Sequence, residues 1–97
     1  MNFNEKVYRL CKKIPFGKVS TYKEIAKKLN CKAYRAVGNS LNKNKYPDKI
    51  PCFKIINANC KLGGYSKGLK EKIRRLKKEN IEINNNKIDL NKYLHKF

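Results

Sequence analysis

Apolar positions in FNEKVYRLCKKI recur at helical spacing, so Phe3, Val7, Leu10, Cys11 and Ile14 share one face. Asn4 is placed to cap this helix, and Pro15-Phe16-Gly17 ends it. In STYKEIAKKLN, Thr21 and Glu24 form a capping box: the hydroxyl takes the amide three residues on, and the carboxylate reaches back. Ile25, Ala26 and Leu29 then form a buried edge. AYRAVGNSLNKN predicts another helix, with Ala33, Ala36, Val37 and Leu41 turned inward. Two short helices joined by the tight NCK turn fit a helix-turn-helix. The segment from Tyr46 to Gly68 holds two prolines, three glycines and the β-branched pair Ile55 and Ile56, so it predicts a loop, a short strand and a glycine-rich turn. LKEKIRRLKKEN returns to helical period with Leu69, Ile73 and Leu76 on one face. IEINNNKIDL alternates Ile81 and Ile83, then Ile88 and Leu90, about an asparagine-rich turn, which predicts a hairpin. The expected fold is mainly α with a small β component: a winged helix-turn-helix-like single domain over residues 1–97, with hairpin and tail at about 80–97.

Ninety-seven residues allow one compact core, because a chain this short buries only about 60–65% of its unfolded surface. Charge changes the picture more. Twenty-five Lys and Arg face seven Asp and Glu, a net charge of +18. That balance points to a polyanionic partner, DNA, RNA or an anionic membrane. No apolar run approaches the ~20 residues needed to span a bilayer. The first helix pattern begins almost at Met1 without a signal-peptide layout, which predicts an intracellular protein. Cys11, Cys31, Cys52 and Cys60 lack paired spacing, so disulfides are not expected in a reducing compartment. Without a C-x-x-C, and with the single His95 in the tail, no metal site and no cofactor is expected. Cys11 lies on the apolar stripe and fits a small core residue.

The middle of the chain resembles the DNA-binding and active-site domain of the O6-alkylguanine-DNA alkyltransferases, the methylated-DNA–protein-cysteine methyltransferases. The residues that carry the likeness are TYKEIA, RAVGNSL, NKNKYP, IPCFKI, GGYSKGL and LKKEN, in that order and without a gap from about Ile14 to Glu79. The resemblance implies that duplex DNA containing alkylated guanine is the partner, with the domain acting as a monomer and no membrane involved. It implies a compartment that holds DNA: the cytoplasm and nucleoid of a prokaryote, or the nucleus of a eukaryote.

The resemblance also implies roles. Cys52 matches the alkyl acceptor, whose thiolate attacks the alkyl carbon on guanine O6 and keeps it, so each molecule acts once. A base inside the stack is out of reach and must be rotated out. Arg35 matches the arginine that fills the vacated space, and Tyr22 the tyrosine that crowds the backbone phosphate. Ala36, Gly38 and Ser40 match the small residues that let this helix press into the minor groove. Tyr65 and Ser66 match residues that line the guanine and bond its O6, with Tyr65 a proton donor as the bond breaks. Leu41 and Pro47 match the apolar wall, and the Ile55 carbonyl an acceptor for the exocyclic amine. Asn44 matches the asparagine that supports the cysteine loop. Glu79 matches the glutamate that orients a histidine base.

The chain departs from the pattern at that histidine, where it carries Phe53. Phenylalanine relays no proton. A cysteine without assistance has a pKa of about 8.5, so a few per cent is thiolate near neutral pH. That fraction costs about 2 kcal/mol, a rate factor of tens. Lys54, Lys72 and the net positive field favour an anion. The resemblance covers the family's DNA-binding and active-site domain, and the usual N-terminal domain is expected to be absent. Size, C-terminal hairpin and aromatic tail resemble the alkyltransferase-like proteins, single-domain relatives that bind alkylated DNA without repairing it and usually carry tryptophan at the cysteine position. Two functions follow: irreversible alkyl transfer to Cys52, or lesion binding that recruits other repair proteins.

Overall fold

The computed structural model describes all 97 residues. Chain order runs α1 (Phe3–Lys12), β1 (Ser20–Thr21), α2 (Tyr22–Lys28), α3 (Tyr34–Asn42), a single 3₁₀ turn (Cys52–Lys54), β2 (Ile55–Ile56), α4 (Leu69–Lys78) and α5 (Leu90–Tyr93). The fold is mainly helical, as the pattern predicts. α1 and α2 both pack on α3.

Local chemistry sets the helix starts. Thr21 Oγ1 accepts from the Glu24 amide at 3.1 Å, the first half of the capping box. α1 is capped by Asn2, not Asn4: the Asn2 side chain accepts from the Glu5 amide at 2.8 Å. Asn4 lies within the helix and instead accepts from the Ser40 hydroxyl on α3.

β1 and β2 pair in parallel, Ser20 opposite Ile55 and Thr21 opposite Ile56. The tail extends this sheet on the other side. Val19 bridges Leu94, the Val19 amide donates to the Tyr93 carbonyl at 2.9 Å, and the His95 amide donates to the Val19 carbonyl at 2.7 Å. The expected hairpin shrinks to its turn. Asn85 and Asn86 both take positive φ, as a type I′ hairpin turn requires, and Asn84 and Lys87 exchange both backbone bonds. No strand develops beyond it; residues 86–88 bond instead to Cys60 and Leu62.

Two cores flank the sheet. One gathers Val7, Leu10, Cys11, Ile25, Val37, Leu41, Cys52 and Ile55; the other gathers Val19, Phe53, Ile56, Leu62, Leu76, Ile81, Ile88 and Tyr93. Truncating a fully buried aliphatic such as Ile25 or Val37 to alanine costs about 2–4 kcal/mol. Cys52 and Phe53 are neighbours in the 3₁₀ turn but fall into opposite cores. The turn therefore points the thiol toward the α1–α3 side and the aromatic ring toward α4.

Two inward positions differ from the periodic reading. Ala33 is exposed at the start of α3. On α4, Leu69 is 42% exposed, and Lys72 takes the buried place one turn before Leu76.

Candidate DNA-lesion site

Cys52 is 5% exposed and is held by a side chain from the loop before it. Asn44 Nδ2 donates to Cys52 Sγ at 3.3 Å and to the Ile50 carbonyl at 3.0 Å, while its Oδ1 accepts from the Tyr46 amide at 2.9 Å. One amide thus ties both ends of the loop and presents an N–H to sulfur. Arg75 of α4 grips the same loop from outside: Nη1 donates to the Pro47 carbonyl at 3.4 Å, and Nη2 lies 3.2 Å from Asp48. Its guanidinium also sits 5.9 Å from the Phe53 ring centre, a cation–π distance.

Behind the cysteine turn lies Lys72, fully buried. Its ammonium donates to the carbonyls of Ile55 at 2.7 Å, Leu62 at 2.5 Å and Gly64 at 3.1 Å. This ties β2 to the glycine-rich turn. Burial pulls the Lys72 pKa down from the usual lysine value to about 8, and a negative charge on Cys52 pushes it back up.

Glu79 and Phe53 form no relay to the thiol. Glu79 Oε1 lies 2.7 Å from Lys54 Nζ and accepts from the Gly17 amide at 2.9 Å. Lys54 also donates to the Pro15 carbonyl at 2.7 Å. The carboxylate therefore ties the end of α4 to the cysteine turn and to the loop after α1.

Tyr65 packs between the two cores, and its hydroxyl is buried with no hydrogen-bond partner. Burial, then the nearby Cys52 charge, raise its pKa, with Arg75 opposing, so the phenol stays a proton donor at neutral pH. Tyr22 is raised for the same first two reasons. Cys11 is pushed up to about 12, chiefly by burial, and is an inert thiol.

A cleft of about 710 Å³ opens beside α3, lined by Tyr22, Lys23, Tyr34, Arg35, Gly38, Asn42, Asn57, Ala58, Gly63 and Gly64. A Cβ added at Gly38 or Gly64 meets nothing within 4 Å, so the protein's own packing does not demand glycine there. Gly63 differs: φ is +71°, and a Cβ would stand 3.0 Å from Asn57 Oδ1.

A family model described as "6-O-methylguanine DNA methyltransferase, DNA binding domain" matches residues 2–81. The chain belongs to this family. It is 49% identical over 88 residues to a bifunctional methyltransferase/endonuclease of Picrophilus torridus, covering 90% of this chain and 30% of that protein. It is 46% identical over 81 residues to a methylated-DNA–protein-cysteine methyltransferase of Methanocaldococcus jannaschii, covering 84% of this chain and 47% of the other. The chain thus spans half or less of these relatives. Among solved structures, S. pombe Atl1 in complex with damaged DNA containing O6-carboxymethylguanine superposes with a TM-score of 0.88 at 31% identity, over 98% of this chain and 95% of that one.

Within this DNA-repair family's domain, most of the expected residues gather at two places. Tyr22, Arg35 and Gly38 meet in the cleft. Ala36 is half-buried on the same helix. Cys52, Asn44, Tyr65 and Leu41 gather at the first core, with Pro47 in the loop above and Ser66 exposed beside Tyr65. Ile55 is fully buried and its carbonyl already accepts from Lys72.

Ser40 is displaced from its expected place on the DNA-facing surface. It is 2% exposed, and its hydroxyl bonds Asn4 of α1. The reason is periodicity: Ser40 stands three residues after Val37 and one before Leu41, on the buried face. Arg75 escaped the sequence reading, because nothing local marks one arginine among many as the loop clamp. Lys72 carried a usable signal, since it sits on the apolar stripe of α4.

Proposed function

We propose that this domain binds duplex DNA, rotates an O6-alkylguanine into the site and takes the alkyl group irreversibly onto Cys52. The observation that carries this reading is the pairing of a buried cysteine held by Asn44 with a buried, unpartnered Tyr65 hydroxyl. In the step, sulfur attacks the alkyl carbon and forms the C–S bond. The C–O bond breaks, and its electron pair passes to guanine O6. Tyr65, kept protonated, donates a hydrogen bond to that oxygen. The Asn44 N–H donates to the sulfur and holds it in place for attack. Glu79 serves as a positioning group, because its carboxylate is engaged by Lys54. The thiol proton leaves to solvent before attack, so transfer is slower than with a built-in base.

A second reading is lesion binding without transfer, leaving repair to another activity. Phe53 under Arg75 and the Lys54–Glu79 pair favour it, as does the match to S. pombe Atl1 over nearly its whole length. Incubating the protein with a duplex carrying O6-methylguanine and analysing the DNA separates the two. Transfer predicts unmodified guanine in an amount that saturates at one per protein molecule. Tight binding with the lesion intact supports the second reading.

A further inference from the structure

Tyr34 is the first residue of α3 and is 49% exposed, among the few large apolar side chains the fold leaves open. It belongs to neither core, and its hydroxyl makes no hydrogen bond within the protein. Its surroundings explain the exposure. Tyr34 lines the cleft together with Arg35, Tyr22 and Lys23; Gly38, one turn along α3, and Gly64 line it too, and a Cβ at either meets nothing within 4 Å. A flat ring beside two cations, in a cleft with three glycines in its lining, suits a planar and negatively charged ligand. Aromatic rings stack on bases of any sequence, because every base has a π face.

We propose that Tyr34 is a second base-stacking side chain of the lesion site. When the target nucleotide leaves the duplex, the adjoining bases lose a stacking neighbour. Tyr34 supplies a replacement surface next to Arg35, and its ring holds the opened duplex against the cleft. This rests on the reading that the domain rotates an alkylated guanine out of the stack. It also predicts that the ring matters, and not the hydroxyl.

The test uses the full chain with two duplexes, one carrying O6-methylguanine and one undamaged, and the variants Tyr34→Ala, Tyr34→Leu and Tyr34→Phe. Base–aromatic stacking predicts that Tyr34→Ala and Tyr34→Leu each lose about tenfold or more in affinity for the damaged duplex. Tyr34→Phe stays within about twofold, and binding to undamaged duplex changes little in all three. Thermal melting confirms an intact fold, as expected for an exposed site. The inference is overturned if Tyr34→Ala binds the lesion like wild type, if Tyr34→Phe loses as much as Tyr34→Ala, or if both duplexes are weakened equally. In each of these cases the wild-type preference for damaged DNA stands. A wild-type protein without that preference overturns the base-rotation reading as well.

Discussion

Lys54 Nζ stands 2.7 Å from Glu79 Oε1, an ion pair with both side chains largely buried. It joins the cysteine turn to the last turn of α4, and through Gly17 and Pro15 to the loop after α1. In the alkyltransferase pattern the glutamate serves a histidine; beside Phe53 it serves the lysine instead. Removing one partner of a buried pair costs about 3–5 kcal/mol, because the other is left charged and alone. Glu79→Ala is expected to destabilise the fold by an amount at the low end of that range, read by urea unfolding. Glu79→Gln, which keeps an acceptor oxygen, is expected to lose less. Alkyl transfer per folded molecule stays unchanged in Glu79→Gln; a hundredfold fall at full stability would make Glu79 the base.

Both bonds of the Glu79 carboxylate converge on Oε1. Oε2 therefore remains to orient an imidazole at position 53. Phe53→His is expected to speed transfer near pH 7 by about tenfold, with less gain at pH 9, because an imidazole that reaches the thiol through a bridging water replaces ionisation by solvent. The same change puts a polar ring into a buried site and costs about 1–3 kcal/mol of stability. Single-turnover rates across pH check it; an unchanged pH profile would show that the proton has another route.

Gly38 separates folding from binding. Glycine within a helix costs about 1 kcal/mol against alanine, and a methyl group at this position meets open space. Gly38→Ala is expected to raise stability by about 0.5–1 kcal/mol while weakening affinity for DNA, since the methyl holds the DNA backbone off α3. Melting and titration on the same sample check both signs. A gain in stability without a loss of affinity would remove Gly38 from the interface.

Lys72 makes stability depend on pH. Its folded pKa of about 8 lies below the ~10.4 of an unfolded lysine. Between these values the unfolded chain holds a proton that the folded one has released, so this contribution to stability rises with pH and is lost as pH falls through about 8. Comparing wild type with Lys72→Met cancels the other titrating groups. The stability difference between them is expected to shift in favour of wild type from pH 7.5 to pH 10, and a constant difference would contradict the assignment.

Features governed by neighbours in sequence were legible. The Thr21 cap follows from one hydroxyl and one amide three residues on, and the helices follow from apolar spacing. The ordered TY, RAVG, NKNKYP, PC and GGYS segments singled out Cys52, Asn44 and Tyr65, which the fold brings to one core. Features that depend on distant partners were not legible. The Lys54–Glu79 pair and the Arg75 clamp join residues 25 and more apart in the chain, and nothing in a lysine-rich composition singles them out. Ser40 shows a different limit. Likeness to a family placed it on the DNA face, but its spacing from Val37 and Leu41 already put it inward. The tail's pairing with Val19 likewise had no local signal, because a single extended segment does not name its partner.

Alkyl transfer to Cys52 leaves a covalent mark on the protein. The most direct measurement is the intact mass of the protein after incubation with an O6-methylguanine duplex, at pH 7.5 and again at pH 9, with Cys52→Ser as control. The protein is expected to gain one methyl group, faster at the higher pH, mapped to the peptide containing Cys52 and absent from the serine variant. Lesion binding with no change in mass at either pH would contradict it.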